Sequence, residues 1–207
     1  MNDRSPNTKS PREGLKWVKV ARFLALPFSP HRVKTYRRVP RFEDVCIDGL
    51  LADGIEGVLL DADGTLGPHH TRTFPDSVVT HVKLMQAVGL KLALFTNAFE
   101  DRFEQFEGVP VVTNVPPKPD PEGFHTAMRD YLKLDDPAKV VMIGDNYITD
   151  GGAIDAGMRF IHVKPVPGDE NTFHHTTRYL AELCARAWRP ASTLTSKTNK
   201  TNSRAGV

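Results

Sequence analysis

The sequence predicts an α/β fold, a doubly wound parallel sheet of about five strands with helices on both faces. Three observations predict it. Short apolar runs bounded by turn residues, near residues 57–60, 91–96, 111–113, 140–144 and 159–163, alternate with segments whose apolar residues recur at helical spacing. That alternation is the mark of parallel strands joined by helical crossovers. Several runs also end on side chains able to bind ions or react, at the edge where open α/β sheets place their ligands. Finally, 207 residues are enough for one domain with a full core and flanking segments, and no internal repeat is present.

The chain divides by composition. Residues 1–13 are polar with two prolines and are expected to be disordered, as is the Ser/Thr/Asn/Lys-rich stretch 189–207. Residues 14–45 form a basic amphipathic segment, and 46–188 the globular domain. Residues 1–45 hold 11 Lys/Arg against 4 Asp/Glu, 46–187 hold 12 against 21, and 188–207 hold 4 against none, so an acidic body lies between two basic ends. Such asymmetry points to anionic partners for the ends rather than for the whole chain. Cys46 and Cys184 form neither a metal-spaced pair nor a disulfide framework, which fits a reducing, cytoplasmic compartment. No apolar run is long enough to cross a bilayer, and the N-terminus lacks a signal-peptide core.

In chain order, Leu15 to Leu26 reads as a helix closed by Pro27. Lys16, Lys19 and Arg22 form a polar stripe, and Leu15, Trp17, Val18, Val20, Ala21, Leu24 and Ala25 form a broad apolar face. This pattern suits an interfacial helix in the plane of a membrane, or one docked on the core. The basic run Arg32 to Arg38 could meet lipid head groups, a solvated face or a nucleic acid, since charge alone does not name a polyanion. After the strand Gly57 to Leu60, residues 68–73 are a loop and Pro75-Asp76 opens a helix ending before Gly89. The strand Lys91 to Thr96 leads to Thr96-Asn97 and a short helix starting near Glu100. Pro110 enters a short strand, Val111 to Thr113. Lys118 lies in a proline-rich loop, followed by Asp120 as N-cap and Pro121 as first helical residue. Val140 to Gly144 is a strand ending in Asp145, Asp150 to Gly157 holds a helix, Arg159 to Val163 is the fifth strand, and Thr177 to Trp188 the last helix.

The chemistry gathers where the runs end. Asp61 and Asp63 follow the apolar run Val58-Leu59-Leu60, and alternate side chains of an extended chain point the same way, so both can address one ligand while Gly64 turns the backbone away. A polar turn or a calcium loop are the competing explanations. A calcium loop requires a preceding helix, Gly at its sixth position and Glu at its twelfth, where this chain has a strand, Leu66 and Arg72. Asp61, Asp63, Asp145 and Asp150 offer oxygens to a hard divalent cation such as Mg²⁺, and Thr96 and Lys118 offer donors to anionic oxygens. His69-His70 and His174-His175 read as polar loop pairs, because no carboxylate or Cys completes a metal set with either.

In order, DADGT, FTN, Lys118-Pro119 and GDNYITD at successive strand ends resemble the haloacid dehalogenase superfamily of aspartate-nucleophile phosphatases, over roughly residues 55–165. The resemblance implies a Rossmann-like fold and an Mg²⁺-dependent phosphomonoester hydrolase. In it Asp61 is the nucleophile that forms an aspartyl-phosphate, and Asp63 the acid/base that protonates the leaving oxygen and then activates water. Thr96, Asn97 and Lys118 bind the phosphoryl group. Asp145 holds Mg²⁺ together with Asp61 and the main-chain carbonyl of Asp63, and Asp150 supports that metal site. Asp63 also speaks against a dehalogenase, since superfamily dehalogenases lack an acid/base there. Only about thirty residues separate Asp63 from Thr96 and about twenty separate Thr96 from Lys118, which leaves no room for a cap domain. An open site admits a group presented on a large surface. Within the superfamily the chain is similar to the cap-less YqeG-like group (subfamily III) that includes phosphatidylglycerophosphate phosphatases of phospholipid biosynthesis. The similarity lies in residues 33–55 and in GDNYITDGGAIDAG with the strand and Val163-Lys164-Pro165-Val166 after it. It implies an anionic phospholipid substrate and peripheral contact with the inner face of the membrane through residues 15–38. A soluble phosphatase of a nucleotide or sugar phosphate, and a non-catalytic phosphate- or membrane-binding protein, are the alternatives; nucleic acid is not an expected partner.

Overall fold

The computed structural model describes residues 16–97, 102–168 and 172–188; for Lys16, Val18 and 172–175 it describes the backbone alone. The expectations for residues 1–13, for the tail 189–207 and for a helix start near Glu100 fall outside that set. The elements in order are α1 (Lys16–Ala25), β1 (Arg37–Val39), α2 (Ile47–Ala52), β2 (Gly57–Leu60), α3 (Asp76–Ala87), β3 (Lys91–Leu94), α4 (Pro121–Ala127), β4 (Val140–Gly144), α5 (Gly152–Asp155), β5 (Arg159–Val163) and α6 (Thr172–Ala187). Five parallel strands form one sheet in the order β1-β5-β4-β2-β3.

Strand alternation divides the core between two faces. Leu59, Ala93, Val140, Met142 and Phe160 pack with residues of α4, α5 and α6 on one side. On the other, Val58, Leu60, Leu92, Leu94, Val141, Ile143, Ile161 and Val163 pack with Leu50 of α2 and Val78, Val82 and Met85 of α3. Central strands covered on both faces must be apolar throughout, which is why β2 and β4 are buried along their whole length.

Two strand assignments change. Val111 forms only an isolated bridge with Leu94, and Val112 N–H donates to the Leu94 carbonyl, so the stretch 111–113 touches β3 without extending the sheet. The fifth strand is instead Arg37–Val39, registered on Ile161 to Val163. Its Arg-Arg-Val sequence lacks the apolar run that identifies a strand; it is held by pairing with β5 at the sheet edge, where charged side chains are tolerated. The last helix begins five residues earlier than expected, at Thr172, so His174 and His175 lie on a helix rather than in a loop. Asp120 does cap α4, its Oδ1 accepting from Glu122 N at 3.0 Å with Pro121 next in line. No inserted domain occupies the β2–α3 or β3–α4 connections among the described residues.

α1 turns Arg22 of its polar stripe, together with Phe23, onto the body. Arg22, from the polar stripe, is 4% exposed. It ion-pairs with Asp155 of α5 and donates to the carbonyls of Gly151 (2.5 Å) and Tyr147 (3.3 Å). Trp17, Leu24 and Phe28 face outward, 80%, 62% and 84% exposed.

Candidate active site

β3, β2 and β4 are neighbours in the sheet, and their carboxyl ends deliver Thr96, Asp61 and Asp145 to one edge. Asp61 N–H donates to the Ile143 carbonyl (2.9 Å), carrying the extended path of β2 one residue further and setting the carboxylate at the sheet's rim. Gly64 then turns the chain with φ +78°. A Cβ at that position would lie 2.7 Å from Asp145 Oδ2, so both the backbone angle and the close approach require glycine. Asp150 sits in the turn leading to α5, its Oδ2 accepting from Asn146 N at 3.0 Å.

Lys118 reaches this edge from the loop before α4. The Asn97 amide clamps that loop, accepting from Lys118 N (3.0 Å) and donating to the Lys118 carbonyl (3.1 Å). The Lys118 ammonium, almost wholly buried, contacts Asp61 Oδ1 at 2.7 Å and Asp150 Oδ1 at 2.6 Å. Oxygens of Asp61, Asp145 and Asp150 lie within 4.8 Å of one another, all three residues buried. Burial, reinforced by Asp150, raises the Asp61 pKa to about 7; Asp145 is pushed well above the carboxylate range by burial and by the Asp150 and Asp61 charges. For Lys118, burial opposes the charge, but Asp150 and Asp61 more than offset it and hold its pKa above the ordinary value. Among the described residues, Lys118 and Arg178, whose Nη1 lies 2.7 Å from Asp145 Oδ2, are the cations in contact with these three carboxylates. A compact group of hard oxygen ligands with more negative than positive charge can hold a cation.

Asp63 occupies a different position from the three clustered carboxylates. Its side chain accepts from His70 N (2.8 Å) at Oδ1 and from Arg102 Nη2 (2.6 Å) at Oδ2. The Arg102 guanidinium is buried and also donates to the Thr71 carbonyl at 2.9 Å. Asp63 is thus held by two donors, outside the group of three carboxylates whose oxygens converge. Thr96 is buried at the end of β3. The six site residues expected from strand ends therefore meet at one edge, while Asn97 is engaged with the loop that carries Lys118.

Arg102 and Arg178 were not foreseen. Neither has a local signal: Arg102 meets Asp63 across 39 residues and Arg178 meets Asp145 across 33, and no spacing marks one arginine among 27 Lys/Arg. An acidic pair on a strand end does imply cationic neighbours, but not which ones.

No curated protein matches the chain. Among solved structures, an uncharacterized protein from Listeria monocytogenes serotype 4b is 18% identical over 56% of this chain and 84% of its own, with a TM-score of 0.43. A second crystal structure is 13% identical over 65% of this chain and 84% of its own (TM-score 0.50), a likeness of fold. The core domain of a candidate phosphoglycolate phosphatase from Streptococcus pneumoniae TIGR4 is 15% identical over 60% of this chain and 95% of its own (TM-score 0.39). Residues 47–157, more than half of the chain and including every strand-end carboxylate described above, match the haloacid dehalogenase-like hydrolase family, and the chain belongs to that family of hydrolases.

Proposed function

We propose that this hydrolase is an Mg²⁺-dependent phosphomonoesterase that works through an aspartyl-phosphate on Asp61. What carries the reading is the Lys118 bridge: one oxygen of Asp61 is fixed by a buried ammonium at 2.7 Å, leaving the other to attack phosphorus. Attack forms the Asp61–phosphorus bond and breaks the bond from phosphorus to the leaving oxygen, which takes its proton from Asp63. Asp63, now a carboxylate held by Arg102 and the His70 amide, takes a proton from water as that water attacks the phosphoryl group, releasing phosphate and restoring Asp61. In this reading Lys118 and Thr96 donate to the phosphoryl oxygens. The donor set fits Mg²⁺: Asp61, Asp145 and Asp150 are hard oxygen ligands, and the Gly64 backbone passes too close to Asp145 for a side chain. When bound, Mg²⁺ would supply positive charge beside the phosphoryl oxygens.

For substrate we favour phosphatidylglycerophosphate, hydrolysed at a membrane surface. The orientation of α1 supports this, because a helix that packs Arg22 and Phe23 against the body and exposes Trp17, Val20 and Leu24, with Phe28 just after it, offers an apolar face to a bilayer. The basic run contributes less than its composition suggests: Arg32 pairs with Asp155, Arg37 with Asp53 and Arg38 with Glu182. Phosphate release from phosphatidylglycerophosphate in mixed micelles, compared with soluble nucleotide and sugar phosphates, tests the assignment. A kcat/KM preference for the lipid that falls in Trp17→Ser/Leu24→Ser protein supports it. Equal or better turnover of a soluble ester turns the choice to the soluble-phosphatase alternative.

A further inference from the structure

Beside the candidate site lies a second cavity of about 590 Å³, between the end of β1, the chain after β5 and α6. Arg38, Lys164, Arg178 and Arg186 line it, against one lining carboxylate among the described residues, Glu182. Glu182 is itself shared, 2.9 Å from Arg38 Nη2 and 2.8 Å from Arg186 Nη2. Lys164 has no carboxylate partner among the described residues, and Arg38 Nη1 is shielded from solvent without an acceptor. A concave surface with this excess of fixed cations among the described residues suits an anion.

Its position relative to the site is set by three contacts. Arg178 lines the cavity and holds Asp145. His69 lines it, and the next residue's amide donates to Asp63. Val166 lines it and donates its N–H to the Gly64 carbonyl at 2.8 Å. The cavity therefore adjoins the site through residues next to Asp63, Gly64 and Asp145.

Resting on the phosphomonoesterase reading, we propose that this cavity is a leaving-group subsite for a second phosphate or phosphodiester on the substrate, with Arg38, Lys164 and Arg186 as its specificity-determining residues. Forked guanidiniums match phosphate oxygens, and the volume exceeds what a lone carboxylate needs. The second anion is fixed while the first is hydrolysed, so its binding energy selects doubly anionic esters over simple ones.

Three soluble esters test it on the full chain with Mg²⁺: glycerol monophosphate, glycerol bisphosphate and glycerophosphoglycerol phosphate. The expected kcat/KM is about tenfold or more in favour of the two esters with a second anion, a gap of the size one charge-assisted contact provides. A Lys164→Gln/Arg186→Gln protein, with wild-type circular dichroism, should lose most of that preference. Faster turnover of the bisphosphate than of the diester assigns the second anion to a soluble metabolite, and the reverse order to a lipid head group. Calorimetric binding of glycerophosphoglycerol, which has no monoester to hydrolyse, separates the subsite from the chemistry. Binding that weakens about tenfold in the double variant, without turnover of any ester, keeps the subsite and removes the phosphatase reading. Turnover with equal kcat/KM on all three esters and no glycerophosphoglycerol binding overturns the subsite and leaves the phosphatase reading standing.

Discussion

Burial sets the behaviour of the individual carboxyls. Asp61, raised to about pKa 7 by desolvation and Asp150, favours its protonated form in the folded chain far more than in the unfolded one. Its contribution to stability is therefore present in full below the ordinary Asp pKa and is lost as pH rises through about 7. A bound dication reverses that loss by favouring the carboxylate. Thermal melts with and without EDTA should consequently show a larger gain from Mg²⁺ at pH 8 than at pH 5, whereas an ordinary acidic turn, ionised at both pH values, should show about equal gains. Gly64→Ala meets two costs at once, a positive φ and a Cβ 2.7 Å from Asp145 Oδ2. It should destabilise by about 1–2 kcal/mol and weaken Mg²⁺ binding, measured by denaturant unfolding and calorimetry. At this scale the sequence was most legible where a side chain ended an apolar run: Asp61, Thr96 and Asp145 announce themselves by position. Arg102 and Arg178 do not, because a cation's partner across a fold is fixed by topology that no local spacing encodes.

For the elements, periodicity located α1 but not its orientation. Its polar stripe and apolar face were both visible; which one turns inward depends on Asp155, 133 residues from Arg22. Asp155→Ala leaves Arg22 buried without its counter-charge and also frees Arg32, so it should cost about 3 kcal/mol, read from urea unfolding, and expose α1 amides to hydrogen exchange. Trp17→Ser/Leu24→Ser removes only exposed side chains and should change stability by less than about 0.5 kcal/mol while reducing sedimentation with anionic vesicles. Vesicle binding equal to wild type in that variant would assign α1's outer face some other partner. The strand exchange at the sheet edge has a comparable cause. Val111 to Thr113 has the residues of a strand but meets only Leu94 through one bridge, whereas Arg37–Val39 has arginines where a strand predictor wants apolar residues and is held by β5.

In the molecule as a whole, the sheet puts its chemistry on one rim and its cations around that rim. Burial, then the Arg38 charge, depresses the His162 pKa to about 4, and the ring stacks on Tyr147 at 4.6 Å. With the folded value below the unfolded one, the stability this neutral histidine provides is present above about pH 6.5 and is lost as pH falls toward 4, by up to about 3 kcal/mol. Urea unfolding of wild type and His162→Gln across that interval should show the steeper decline in wild type. The parallel order of the sheet and the gathering of six candidate residues at one edge could be read in advance, since both follow from apolar runs and what terminates them. The cationic cavity could not, because its lining comes from β1, the chain after β5 and α6, segments that meet only in three dimensions. Phosphoryl transfer through Asp61 is tested most directly by acid-quenching the enzyme during turnover of a soluble phosphomonoester and locating the phosphoryl group by peptide mass spectrometry. The adduct should map to the peptide containing Asp61, accumulate in Asp63→Asn protein and be absent from Asp61→Asn protein, which should release no phosphate. Phosphate release by Asp61→Asn at the wild-type rate, with no adduct on that peptide in any variant, would contradict it.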